Sequence, residues 1–339
     1  MSTKDLQAAT FTGLVNLADE TMGAQALVAN DEFFAAKENL VKPGRGVFLP
    51  DEYTDRGKWM DGWETRRRRG QGHDWCIVKL GTPGRVRVID IDTNHFLGNS
   101  PPYASVDALR ATPDTPVDAL KTADWVELMP QMPIRPGSQN IFPISHAESW
   151  PKSWTHLRLN IYPDGGVARF RAHGDVDPEW SMGDVDDEVR SRLKEGEVDL
   201  VAVKNGGLAL ACSDMFFGPM NNLILPGRSV NMGGGWETRR RRGPGFDWII
   251  LRLGAPGDVG LIEVDTNYFK GNCPDTCSVE GIFAPRAALT ELVDASAAWR
   301  GVLNEMKLVP HTRHFFRDEI VQRGPFTHVR LSIYPDGGV

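Results

Sequence analysis

The sequence predicts an all-β protein made of two duplicated β-sandwich or jelly-roll domains joined by a short helical linker. Three observations predict it. A block of nine residues, Gly62-Trp63-Glu64-Thr65-Arg66-Arg67-Arg68-Arg69-Gly70, returns unchanged at Gly235 to Gly243. Short segments with the two-residue alternation of half-buried strands, bounded by Gly and Pro, surround each copy. Apolar residues recur at helical spacing mainly between Asp184 and Lys194, through Val185, Val189 and Leu193, with Gly196 closing the turn. A repeat this long is a domain duplication, since solenoid periods are far shorter.

Taken in order, Met1 to Phe11 reads as a loose terminus, and the first copy begins weakly from Leu14. Asp31-Glu32-Phe33-Phe34 matches Asp214-Met215-Phe216-Phe217, and Asn39-Leu40 matches Asn222-Leu223. The first copy alone carries an insert, Gly46 to Trp59. Beyond the shared block the match is close. His73-Asp74-Trp75 answers Phe246-Asp247-Trp248, and Ile89 to Asn94 answers Ile262 to Asn267. Phe96-Leu97-Gly98-Asn99 answers Phe269-Lys270-Gly271-Asn272, and Ile161-Tyr162-Pro163-Asp164-Gly165-Gly166 answers Ile333 to Gly338. Strands are expected at Cys76 to Leu80, Val86 to Thr93, Trp125 to Met129 and Leu157 to Tyr162. Asp164-Gly165-Gly166 and Asn205-Gly206-Gly207 supply the positive backbone angles of hairpin turns. The expected domains are residues 1–175 and 198–339, with residues 176–197 as the linker.

Composition narrows the function classes. A chain of 339 residues with 41% hydrophobic content can bury a core in each copy. A net charge of −7 and a pI near 5.7 argue against a general nucleic-acid or membrane-surface binder, so the arginine runs form a local site. There is no apolar run of spanning length and no apolar leader core near the start, and the chain reads as a cytoplasmic protein. Cys76, Cys212, Cys273 and Cys277 fall at unmatched positions and read as free thiols.

Several groups could carry chemistry. Guanidinium forks suit bidentate capture of a carboxylate, and Glu64 or Glu237 could orient a fork or accept N–H groups. The alternative is that these arginines stack on Trp63 and Trp236 and form ion pairs. Asp90 and Asp92, matched by Glu263 and Asp265, share one strand face. Such a pair faces solvent, the arginines or a polar pocket, and could divide acid and base roles. His156 and Arg158 share a strand face, as do His328 and Arg330. His73 and His95 occur only in the first copy, where the second has Phe246 and Tyr268. No spacing demands a metal, and there is no Gly-x-Ser-x-Gly elbow or phosphate-cradling Gly-Lys-Ser/Thr.

The ordered motifs resemble the allantoicase (allantoate amidinohydrolase) family. They are the twice-used Trp-Glu-Thr-Arg-Arg-Arg-Arg, Ile-Asp-x-Asp-Thr-x-x-Phe-x-Gly-Asn, and His-x-Arg leading into Ile-Tyr-Pro-Asp-Gly-Gly. The resemblance spans nearly the whole chain. It implies two galactose-binding-like jelly rolls, homo-oligomers, and hydrolysis of allantoate to ureidoglycolate and urea. No cofactor is required by the sequence, although Mn or Mg binding leaves no fixed spacing to read. Allantoate has one carboxylate and two ureido arms on one carbon. The expected site therefore has Arg66 and Arg158, or Arg239 and Arg330, on the carboxylate. Glu64, Asp92 and Asn94, or Glu237, Asp265 and Asn267, would bind ureido groups, and Asp92 or His156, or Asp265 or His328, would move the proton or activate water. A second departure from an even repeat is that the matched sequence reaches only Val339, while the first copy continues through Ala168 to Arg171, so a shortened second sandwich is expected. The rival readings are a non-catalytic jelly-roll protein binding a sugar or small anion, and a polyanion-binding scaffold.

Overall fold

The computed structural model describes residues 13–148, 150–180, 185–294 and 296–339. The chain divides into two compact units, Met1–Pro178 and Glu179–Val339. The first carries β1 (Val15–Asn16), β2 (Gln25–Ala29), β3 (Tyr53–Thr54), β4 (Gly57–Lys58), β5 (Trp63–Glu64) and β6 (Asp74–Asp92). It continues with β7 (Tyr103–Leu109), helix α1 (Val117–Lys121), β8 (Val126–Pro133), β9 (Gln139–Pro143), β10 (Trp154–Tyr162), β11 (Gly166–Val167) and β12 (Arg169–Val176). The second unit carries α2 (Asp187–Arg192), β13 (Leu208–Cys212), β14 (Asp247–Gly257), β15 (Ile262–Asp265), β16 (Thr276–Ile282), α3 (Leu289–Val293), β17 (Arg300–Lys307), β18 (Arg313–Phe316) and β19 (Phe326–Tyr334).

Both units are antiparallel β-sandwiches, as the alternating segments predict. In the first, β6 serves both layers, because its start pairs with β2 and β10 while its end pairs with β9 and β12. Strands that pass from one sheet to the other through an irregular corner are a regular way of closing a sandwich. This corrects the expectation of two separate strands at residues 76–80 and 86–93, since the chain bends at residues 81–84 without leaving the ladder. The second unit breaks at the same corner, giving β14 in the sheet β13-β14-β19-β16-β17 and β15 paired with β18.

One turn and one helix expectation need revision. Asn205-Gly206-Gly207 is no hairpin: Val203–Asn205 is a 3-10 turn, and Gly206 at φ +86° caps it in the left-handed region. The linker helix is α2, shorter than expected, with Asp186 capping the Val189 N–H at 3.0 Å. Asp184 and Met1 to Phe11 lie outside the described residues. The four cysteines are free thiols, and no helix among the described residues is long and apolar enough to cross a membrane.

Cores follow the strand alternation. Leu157, Leu159 and Ile161 of β10 are fully buried opposite Ala108, Val106 and Ala104 of β7. Phe170 and Ala172 of β12 pair with Ile91 and Ile89 of β6 and fill the other layer. With a period of two, the intervening residues of each strand must point out of the core. On β12 these are Arg169, Arg171 and His173, and opposite them on β6 stand Asp92 and Asp90. The outer face of the smaller sheet, formed by β1, β12, β9 and the end of β6 opposite the larger sheet of β2, β10, β7, β8 and the start of β6, is therefore charged, and the Lys42–Asp61 segment covers it.

Candidate active site

The repeated motifs occur together because they build one corner of each sandwich. Phe96 lies so close under Gly62 and Gly166 that a Cβ added at either would stand 2.6 or 2.0 Å from its ring, and Phe269 excludes side chains at Gly235 and Gly338 in the same way. Trp63 and Trp236 are completely buried there, donating their indole N–H groups to the Asp31 and Asp214 carbonyls at 2.8 Å. Glu64 accepts from the Asn99 amide at 2.6 Å, and its carboxyl is held above the usual range by burial despite that bond. Arg68 donates its backbone N–H to Asp164 at 2.7 Å and its guanidinium to Asp74 at 2.5 Å. Glu237, Asn272, Arg241, Asp336 and Asp247 repeat these contacts in the second unit.

Arg66 and Arg239 take their own acids. Arg66 bonds Asp31 at 2.7 Å and lies over the Phe33 ring, and Arg239 bonds Asp214 at 2.8 Å over Phe216. The stacking alternative thus uses phenylalanines, because the tryptophans are buried.

On the charged outer face of the first unit, Asp90 and Asp92 are 1% and 0% exposed. Arg45 grips Asp92 with two bonds of 3.0 Å, and the Asn94 N–H adds a third at 3.0 Å. Gln139 donates to Asp90 Oδ2 at 2.9 Å, while Arg171 stands 3.9 Å from Asp90 and 4.0 Å from Asp92. Burial pushes the Asp90 carboxyl up to about 6, with Gln139 and Arg171 opposing the shift. Asp90 Oδ1 and Arg171 Nη1 are both buried without a hydrogen-bond partner. A carboxylate oxygen and a guanidinium N–H left unpaired side by side are costly in a folded interior unless something else fills the space between them. The rim is formed by Asn94 and His95, which both meet the Gly46 carbonyl (3.0 and 3.2 Å), and by Phe48 stacked on His95. Below it, Arg169 and Asp61 form a buried ion pair at 2.7 Å.

The second unit holds the same frame but fills it from within. Arg228 bonds Asp265 at 2.8 Å, the Asn267 N–H bonds Asp265 at 2.9 Å, and the Asn267 side chain reaches the Ser229 carbonyl. Opposite Asp265, at the register place of Gln139, stands Arg313. It binds Glu263 at 2.6 Å together with Asp186 and Glu188 of the linker at 2.8 and 3.2 Å. None of these groups has a buried polar atom without a partner among the described residues.

The remaining expected residues sit elsewhere. His156 and Arg158 project from the outer side of the larger sheet, so the sandwich core separates them from Asp90 and Asp92. His156 is buried with its Nδ1 2.9 Å from Thr155 Oγ1, and burial, helped by Lys79, lowers its pKa to about 4. Arg158 is bonded to Asp107 at 2.8 Å and lies over Trp125. His328 likewise meets Thr327, and Arg330 bonds Glu280 and lies over Trp299. A buried neutral imidazole has a stability consequence. His156 and His173, both lowered to about 4, exclude protons that the unfolded chain takes up below about 6.5. Their contribution is complete above that pH and is lost as pH falls toward 4. The guanidinium-denaturation midpoint of the first unit should therefore fall between pH 7 and pH 5, and His156→Phe should flatten the drop.

Sequence reasoning named Asp90, Asp92 and Asn94 but passed over Arg45, Gln139 and Arg171. Arg171 lies beyond the matched end of the second copy, and Gln139 answers an arginine, so comparing the copies flagged neither. The available signals were the alternation Arg169-x-Arg171-x-His173 and, for Arg45, the return of Pro43-Gly44-Arg45 as Pro226-Gly227-Arg228.

Fold and site together define a tandem β-sandwich protein with a buried cluster of charged side chains on an outer sheet face of its first unit. The family model described as the allantoicase repeat matches residues 15–177 and 198–339. A protein of Burkholderia mallei named probable allantoicase 1 is 47% identical over 96% of this chain and 92% of its own length. One of Photobacterium profundum named probable allantoicase is 44% identical over 98% and 96%. The solved allantoicase of Saccharomyces cerevisiae superposes with a TM-score of 0.79 at 31% identity, covering 100% of this chain and 96% of that one. This chain belongs to the allantoicase family.

Proposed function

We infer that the protein is a hydrolase acting on a non-peptide C–N bond of a linear ureido compound: it converts allantoate and water to ureidoglycolate and urea. Family membership supports the reaction. The observation that supports its place is the buried Asp90 Oδ1 and the buried Arg171 Nη1, both without a hydrogen-bond partner on the covered sheet face, with the half-exposed Arg45 at its solvent edge.

The product keeps one ureido arm and gains a hydroxyl on the central carbon, so the bond that breaks joins that carbon to a ureido nitrogen. Urea leaves readily only if that nitrogen is protonated as the bond opens. Asp90, protonated more readily than an ordinary aspartate, gives this proton, and the nitrogen of the remaining ureido arm supplies the electron pair that expels urea. Water then adds to the carbon of the resulting cationic acyliminium, whose nitrogen keeps its proton, and the added water loses a proton to Asp90, which restores the acid. Arg171 takes the substrate carboxylate, and Asn94 Oδ1 accepts ureido N–H groups. Asp92, held by Arg45, fixes the position of the pair.

The test is urea release from allantoate by the purified full chain. No urea, with thermal stabilisation by a sugar, would favour a binding protein instead. Glu263→Gln with Asp265→Asn should retain most of the turnover in folded protein, because the linker acids already occupy that frame; loss of turnover would move the reaction to the second unit.

Among the described residues no group of three or more His, Cys, Asp and Glu is placed to hold a metal ion. The proposed steps use guanidinium groups where a cation would otherwise neutralise Asp90 and Asp92. Urea release should survive dialysis against EDTA, and a loss restored by Mn²⁺ or Mg²⁺ would add a metal to the site. Homo-oligomerisation and a cytoplasmic location complete the reading; light scattering of the purified chain checks the first.

A further inference from the structure

The second unit contains a cleft of about 570 Å³, within the usual range for small-molecule sites, at the corner where its three repeated motifs meet. Its walls include Glu237, Arg240, Arg241, Asn272, Asp275 and Lys307. The first unit is built differently at the same register positions. Lys307 pairs across from Thr276 as Pro133 does from Tyr103, and Asp275 precedes Thr276 as Pro102 precedes Tyr103. A Lys307–Asp275 ion pair therefore lines the second unit where prolines stand in the first.

The arginines differ as well. Arg67 lies 3.8 Å from Asp164, whereas Arg240 makes no ion pair or hydrogen bond among the described residues and is exposed on the cleft wall. Beside it Arg241 keeps a buried Nε without a partner, although its Nη2 binds Asp247 at 2.6 Å. Glu237, on the same cleft, is half-buried, with its Oε1 accepting from the Asn272 amide. A free guanidinium fork and a carboxylate that accepts N–H groups, lining one cleft, suit a small ligand that carries both a carboxylate and amide nitrogens.

We propose that this cleft is a second binding site, taking a small ureido-substituted monocarboxylate of the same class as the substrate and product, and holding it without hydrolysing it. The carboxylate of the ligand lies on Arg240 and its ureido N–H groups on Glu237. The inference rests on the first unit being the reaction site, and its test is arranged so that the two fail separately.

The probe is allantoate, titrated calorimetrically into the full chain carrying Asp90→Asn, which removes turnover. Two molecules per chain are expected. Adding Arg240→Ala should leave one and weaken the lost event at least tenfold, while Arg240→Lys, which keeps a cation but no fork, should weaken it less. Arg240 is exposed and has no partner among the described residues, so these variants are expected to fold as the parent does, and their circular dichroism checks this. One molecule per chain before the second substitution, or two after it, overturns the second site. If Arg240→Ala alone abolishes urea release, the cleft is the reaction site and the proposal falls. Absence of urea release by the unsubstituted protein would instead remove the proposed reaction and leave the stoichiometry to be read by itself.

Discussion

Asp90→Asn is expected to lower urea release from allantoate by about 10²- to 10⁴-fold, the span that a positioned general acid contributes. Asparagine keeps the shape and the Gln139 contact but cannot give up a proton. In the unsubstituted enzyme, kcat/KM should fall about tenfold per pH unit above about 6, because the acid form of Asp90 is the one that acts. The variant should lose that limb together with the rate. Stability separates chemistry from misfolding. Burial favours the protonated carboxyl in the folded state, so Asp90 costs stability as pH rises through the window from about 4 to about 6. Removing its charge should leave the protein at least as stable at pH 7. A variant that keeps the rate and the limb would assign the proton to another group, with Glu64 first in line because burial raises its pKa too.

The second large effect is on stability. Arg169 and Asp61 are 3% and 8% exposed, and the Arg169 Nη1 also bonds the Asp61 and Ala168 carbonyls at 3.1 and 2.7 Å. Removing the carboxylate with Asp61→Ala strands a guanidinium under the Lys42–Asp61 segment and also frees the Val47 N–H that Asp61 holds at 2.9 Å. The expected cost is about 3–5 kcal/mol, the range for breaking a buried ion pair from one side. It would be read from guanidinium denaturation of the first unit. Replacing both partners with apolar residues should recover part of the loss, since no uncompensated charge is then left behind. A cost of a few tenths of a kcal/mol would mean that water reaches Arg169. Because the segment that Asp61 anchors also carries Arg45 and Phe48, Asp61→Ala should reduce activity in the protein that remains folded.

The duplication and the sandwich class were legible before any coordinates. The reason is local: Gly62, Gly166 and Phe96 have to fit one another, and so do Gly235, Gly338 and Phe269, which keeps both copies of the pattern recognisable. The Asp90 and Asp92 face was legible too, from a period of two. Their partners were not. Arg45 is 47 residues from Asp92 in the chain and Arg171 is 81 from Asp90, and only the path of β6 through both layers and the return of β12 beside it bring them together.

Sequence alone therefore determined which residue types recur and on which side of a strand they stand, because side-chain alternation is a property of the backbone. Tertiary structure decided which of them meet. It put His156 and Arg158 on the far side of the core from the aspartates, because β10 turns its polar side away from the smaller sheet. It also distinguished the two copies: in one, where Gln139 stands, one guanidinium nitrogen of Arg171 and one carboxyl oxygen of Asp90 have no hydrogen-bond partner, while in the other Arg313 draws the linker's acids into the same place.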